Sequence, residues 1–268
     1  MSIYRWRTKA AACLLRETGA STVEEGVSRI VQAAKKAAFE QGYSVGTLRP
    51  PYDPKPLALV LGAKEVRRAA LGFDGHVARE ADGLIIEYDS ENRSRRRLRF
   101  TVAHEVGHLA LWKATRDVRK LPARRSPKGS EIEKLCNKIG AEILAPRNEV
   151  KVLWGDANAR SAVQSKADFI LRLSETFDIS LNFAAIQFRE VCSPGLGIAL
   201  INLPHRRYEW CHGVPSKYRL LQGLLEKLGN AESFGADSFF VGTSYGVRMV
   251  AYHWRKIAEA YFLILFSR

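Results

Sequence analysis

The sequence predicts an α+β protein, and three observations lead there. One long stretch repeats apolar residues at helical spacing, a shorter one is an apolar run behind a turn signal, and the texture changes after Cys192 from mostly helical to mostly strand-like. The long stretch is STVEEGVSRIVQAAKKAAFEQG, Ser21 to Gly42, where Ser21 or Thr22 caps a helix and Val27, Ile30, Val31 and Ala34 form its stripe. LRPPYDPKP then breaks regular structure, because three of its prolines fall within five residues. LALVLGAKEVRRA reads as a short helix followed by a strand. DGLIIEYDS reads as a strand entered from an Asp82-Gly83 turn, and NRSRRRLRF as a basic loop. TVAHEVGHLALW is a helix, KATRDVRKLPARRSPKGS a surface loop, and EIEKLCNKIGAEILAP a second helix with Ser130 as its cap. KADFILRLSETFDISLNFAAIQFREV gives two helices joined at Asp178-Ile179-Ser180. Beyond Cys192, GLGIALINL, GVRMVAYHW and EAYFLILFS read as strands and SKYRLLQGLLEKLG as a helix, a small α/β domain.

Composition narrows the class. The formal net charge is +14, which favours acidic partners or a nucleic-acid surface. The four cysteines are widely spaced with no CxxC pair, which fits a reducing cytoplasm rather than a disulfide framework. The basic N-terminus has too short an apolar run for a signal peptide, and no segment reaches the length of a membrane span.

The chemistry concentrates in RFTVAHEVGHLAL. His104 and His108 stand i, i+4 and so turn their imidazoles to one side of a helix. Glu105 sits about 100° further round, where a carboxylate reaches a metal-bound water without ligating the metal. Zinc takes neutral imidazole and needs three protein ligands if a fourth position is to stay open. The competing reading, a core helix with hydrogen-bonded histidines, is disfavoured by the apolar flanks, since burying two histidines and a carboxylate costs free energy unless something satisfies them. Gly107 costs about 1 kcal/mol relative to Ala inside a helix and implies close approach by another backbone. For the third ligand the second helix offers Glu131, Glu133 and Glu142. Glu131 lies at the helix start, where it serves the cap and dipole. Glu133 and Asn137 are spaced to face one place, and Asn137 there would orient a histidine ring.

RFTVAHEVGHLAL followed by EKLCNKIGAEILAP resembles the ImmA/IrrE family of zinc metallopeptidases. The departures, Cys136 for alanine and Ile139-Gly140 for Phe-Ala, touch packing rather than chemistry. The resemblance implies a zincin-like domain with Zn2+ held by His104, His108 and Glu133, and with Glu105 as general base. It implies a domain order of an N-terminal extension (1–21), a metallopeptidase domain (22–153), a helical, helix-turn-helix-like linker (154–192) and a C-terminal α/β domain (193–268). That last domain is GAF-like and takes a small-molecule signal. It also implies a narrow substrate, a helix-turn-helix repressor cut at one site to relieve repression. A DNA- or repressor-binding regulator with a structural or vestigial zinc site is the alternative.

The remaining features are weaker. In the second helix of the pair, Asn182, Gln187 and Arg189 are the polar residues weighed for base reading, a poor set, so packing is preferred to DNA recognition. Arg93, Arg95, Arg96 and Arg97 are the candidate substrate-binding residues, set beside strand GLIIEYD, whose edge would pair with an extended substrate. A solvated face is the bland reading of the same arginines. Cys136 is a small packing residue, Tyr88 is the tyrosine considered for oxyanion stabilisation, and His205, His212 and His253 show no ligand spacing.

Overall fold

The computed structural model describes residues 9–43, 49–89, 91, 94–115, 130–157, 163–202, 207–212, 240–244, 247–258 and 261–267. The chain divides into two units, Met1–Pro146 with Thr176–Ile179, and Arg147–Glu175 with Ser180–Arg268. The basic loop 116–129, Arg93, His205 and the helix expected over 216–229 lie outside the described residues.

In the first unit, α1 (Lys9–Thr18), within the stretch expected as an N-terminal extension, buries Ala11 and Leu14 completely. Its fit against α2 (Val23–Glu40) is close: a Cβ on Gly26 would lie 3.1 Å from Leu14 Cγ. Thr22 caps α2 by accepting from the Glu25 N–H, and Glu25 reaches back to the Ser21 N–H at 2.8 Å. Pro50, Pro51 and Pro54 precede α3 (Lys55–Val60), and Pro56 lies in its first turn.

Three strands follow: β1 (Ala63–Ala69), β2 (Gly75–Glu80) and β3 (Gly83–Asp89), in the order β1-β3-β2. β1 pairs parallel and β2 antiparallel with β3. GLIIEYD is therefore the central strand with both edges occupied, and the substrate-pairing edge expected there does not exist. β2 is an edge strand instead. The Asp89 N–H donates to the Asp74 carbonyl at 2.9 Å, and Asp74 stands opposite Asp89 in the extended register. In an antiparallel ladder such bonded pairs alternate with open ones, so the main-chain groups of Gly75, Val77 and Arg79 face outward.

α4 (Arg95–Thr115) starts well before the expected helix and takes in the basic run. Its first turn has no acid to favour the dipole; tertiary partners compensate. Asp178 binds Arg95 at 2.6 Å, Arg96 at 3.2 Å and Arg99 at 3.0 Å, and Asp74 binds Arg97 at 2.6 Å. Arg99 also donates to the carbonyls of Phe177, Asp178 and Tyr52. Asp178 adopts φ +50, an uncommon value for a residue with a Cβ. α5 (Glu131–Leu144), capped by Ser130, lies on α4 along two glycines. A Cβ on Gly107 would stand 2.9 Å from Cys136 Cα, and one on Gly140 would stand 3.1 Å from the His104 nitrogen.

The second unit contains α6 (Arg147–Ala157), α7 (Val163–Thr176) and α8 (Leu181–Val191). Trp154, Phe169 and Phe188 join one from each, with ring centroids 4.9, 4.9 and 5.6 Å apart. Of the linker expected over 154–192, all but Thr176–Ile179 groups with the strands that follow. Those strands are β4 (Gly197–Asn202), β5 (Arg207–His212), β6 (Phe240–Ser244), β7 (Val247–Ala258) and β8 (Tyr261–Ser267). They form an antiparallel sheet ordered β5-β4-β8-β7-β6. β8 reads YFLILFS without polar alternation, the pattern of a strand in the middle of a sheet. No helix among the described residues is long and apolar enough to cross a membrane.

Candidate metal centre

His104 and His108 lie on successive turns of α4, and Glu133 reaches them from the first turn of α5. The three residues form a tight triangle in which the carboxylate meets each ring with a different oxygen: Nε2 to Nε2 is 3.2 Å, His104 Nε2 to Glu133 Oε2 is 3.1 Å, and His108 Nε2 to Glu133 Oε1 is 3.5 Å. For metal–ligand bonds of about 2.0–2.1 Å at tetrahedral angles, neighbouring ligand atoms stand about 3.3–3.4 Å apart. Each of the three separations is close to that spacing, and the three residues can hold a metal ion. Two imidazoles and a carboxylate also suit several divalent transition metals.

Protonation agrees with this use. His104 Nδ1 lies 2.9 Å from Asn137 Oδ1, so the ring donates its Nδ1–H and turns the lone pair of Nε2 toward the triangle. Asn137 thus occupies the orienting position expected of it. Burial, then the charge of His104, pushes His108 down to about 4, leaving a neutral imidazole at ordinary pH. The ring nitrogens of His104 and His108 face a carboxylate, a donor set that a cation completes.

Glu105 is buried at 6% exposure next to this group. Burial is the main force that pushes its carboxyl up to about 8. The charges of Glu133 and Asp74 add to that, and a hydrogen bond from the Val77 backbone N–H opposes it. Val77 is one of the outward-facing positions of β2, which is why its N–H is available. A carboxyl this close to neutrality exchanges a proton readily at cellular pH.

The other candidates fall elsewhere. Arg95, Arg96 and Arg97 are held by Asp178 and Asp74 as described, with the Arg95 side chain still 79% exposed. The Tyr88 hydroxyl accepts from Arg68 Nε at 3.4 Å, within the sheet. Glu131 accepts from the Ala11 N–H at 3.4 Å, and Glu142 is buried further along α5. Cys136 is fully buried, its thiol pushed up by burial, with the charges of Glu133 and Glu105 adding to it. In α8, Asn182 contacts His212 at 2.7 Å, Gln187 is buried and Arg189 donates to the Leu196 carbonyl, so none of its polar side chains is laid out for base edges.

Sequence reasoning missed Val77, Asp74 and Asp178. β2 offers only Val77 and Ala78 as apolar residues in GHVARE, too little for a strand signal, and backbone donors leave no mark on residue type. Gly140 had a readable signal, a glycine inside a helix seven residues beyond a ligand. Compared with protein-family models and with curated proteins, the chain matches none.

Proposed function

We propose that the chain is a zinc-dependent endopeptidase that cuts a regulatory protein at one site, a helix-turn-helix repressor being the substrate implied by the sequence resemblance. The observation that carries this reading is the convergence of His104, His108 and Glu133 on one point with a near-neutral buried carboxyl, Glu105, beside it. A zinc ion bound there supplies Lewis acidity toward a scissile carbonyl and toward a water molecule. Glu105 takes a proton from the attacking water onto its carboxylate and delivers it to the leaving amine. Asn137 holds the His104 ring, and the buried walls exclude bulk water from the carboxylate. The substrate's extended segment lies along β2 rather than β3, and exposed Arg95 favours acidic residues near the cut. The sheet of the second unit is where a small-molecule signal would be read.

Glu105→Gln keeps shape and ligands but removes the proton acceptor. Zinc-loaded wild type should cleave a repressor encoded beside it, while the variant should retain full zinc and lose at least about 100-fold in rate. Cleavage at the wild-type rate removes Glu105 from the mechanism. Tight repressor binding without cleavage by wild type points to the non-proteolytic regulator.

A further inference from the structure

β2 and α4 run side by side in a matched register. Arg97 meets Asp74 at 2.6 Å. One helical turn on, Thr101 stands against Gly75, where a Cβ would lie 2.7 Å from Thr101 Cγ2. One further turn on, Glu105 receives the Val77 N–H. Four helical residues advance about 6.0 Å and two strand residues about 6.6–6.8 Å, so the last two contacts are successive rungs of one ladder. Gly75 has no left-handed φ to explain it. What requires a glycine there is space alone: Thr101 on one side and the Glu87 carbonyl, 3.0 Å from the same Cβ position, on the other. Thr101 is itself buried at 6% exposure, so it cannot swing into solvent.

We propose that Gly75 and Thr101 are a positioning pair for Glu105: their contact sets how closely the edge strand approaches the metal helix, and thereby whether the Val77 amide holds the Glu105 carboxylate. The carboxylate has no other fixed donor among the described residues. Its aim depends on an amide whose distance is set one rung away, by residues that touch neither ligand nor base. This rests on the reading of Glu105 as the general base, and the main readout is independent of that reading.

Backbone amide exchange in the zinc-loaded full chain, resolved residue by residue by NMR, tests it. In wild type the outward-facing Val77 amide should be protected despite its place on an edge strand. Gly75→Ala should speed its exchange by roughly fivefold to tenfold, the equivalent of one lost hydrogen bond. The Asp89 amide, bonded to Asp74 across the same sheet, should stay protected, and zinc content should stay stoichiometric. Adding Thr101→Ser, which removes Cγ2 and keeps the hydroxyl, should restore protection at Val77. Glu105→Ala leaves the rung contact intact and should expose Val77 by itself, which covers the case in which Gly75→Ala fails to fold. Unchanged protection of Val77 in Gly75→Ala overturns the proposal. So does equal loss at Asp89, which marks general loosening of the sheet, or the absence of rescue by Thr101→Ser. If these exchange results hold and no protein is ever cleaved, the positioning stands and the peptidase reading fails.

Discussion

His108 and Asn137 both belong to the proposed metal site, and their losses should read differently. His108→Ala removes a donor atom and should strip zinc from the purified protein. Asn137→Ala leaves three donors but frees the His104 ring, so affinity should fall by about 10–100-fold in competition with a chromophoric chelator. Full occupancy of Glu133→Ala would move the third ligand away from Glu133. Glu105 carries a pH signature of its own. Its folded pKa, about 8, lies above its ordinary 4.5, so folding takes up a proton between those values. The associated stability is complete below about pH 4.5 and is lost as pH rises through 8. Chelator-treated protein should therefore become easier to unfold in urea from pH 6 to pH 8, by up to about 1.4 kcal/mol per pH unit. Glu105→Gln should flatten that slope, and an unaltered slope would place the proton elsewhere.

At the scale of elements, the contact of α4 with α5 fixes the geometry of the ligands. Gly107→Ala raises helix propensity by about 1 kcal/mol, but its new methyl meets Cys136 Cα and the Cys136 carbonyl, both at 2.9 Å. The helices must part, and Glu133, three residues before Cys136, moves with its helix. Zinc affinity should drop by roughly tenfold or more although no ligand is changed, and a wild-type dissociation constant would show that the helices part without moving Glu133. Both helices were legible in the sequence because their information is local: i, i+4 spacing, a Ser130 cap, apolar periodicity. The placement of Asn137 beside His104 was legible for the same reason. The early start of α4 was not, since four arginines near a helix N-terminus read as a loop until Asp178 and Asp74 arrive from elsewhere in the chain. β2 was illegible because an edge strand buries little, with the Val77 side chain alone buried to mark it. The central position of β3 depends on β1 and β2 pairing to it from opposite sides, which no single strand's composition reveals.

At the scale of the molecule, a charge of +14 suggested a surface waiting for acidic partners, yet the arginines at the head of α4 already have acidic partners within the chain, Asp178 and Asp74. Asp178 is the centre of that arrangement. Burial alone would raise its carboxyl, but hydrogen bonds from Arg95 and Arg96 and the charges of Arg99 and Arg95 hold it below the ordinary carboxylate range. Its contribution is thus present above about pH 4 and lost as acid protonates it. The four residues Thr176–Ile179 that carry this carboxylate belong to the first unit, while the chain on either side of them belongs to the second. Cutting the gene between the two units therefore does not cut between two independent folding bodies. A fragment 1–146 would keep every proposed zinc ligand but would leave Arg95, Arg96 and Arg99 crowded at the positive end of a helix dipole. It should melt well below the full chain, and an equimolar fragment 147–268 should raise its melting temperature by complementation. Asp178→Asn in the second fragment should weaken that effect by about 1–2 kcal/mol. Two fragments that melt as if alone would mean the first unit is self-sufficient without its borrowed turn.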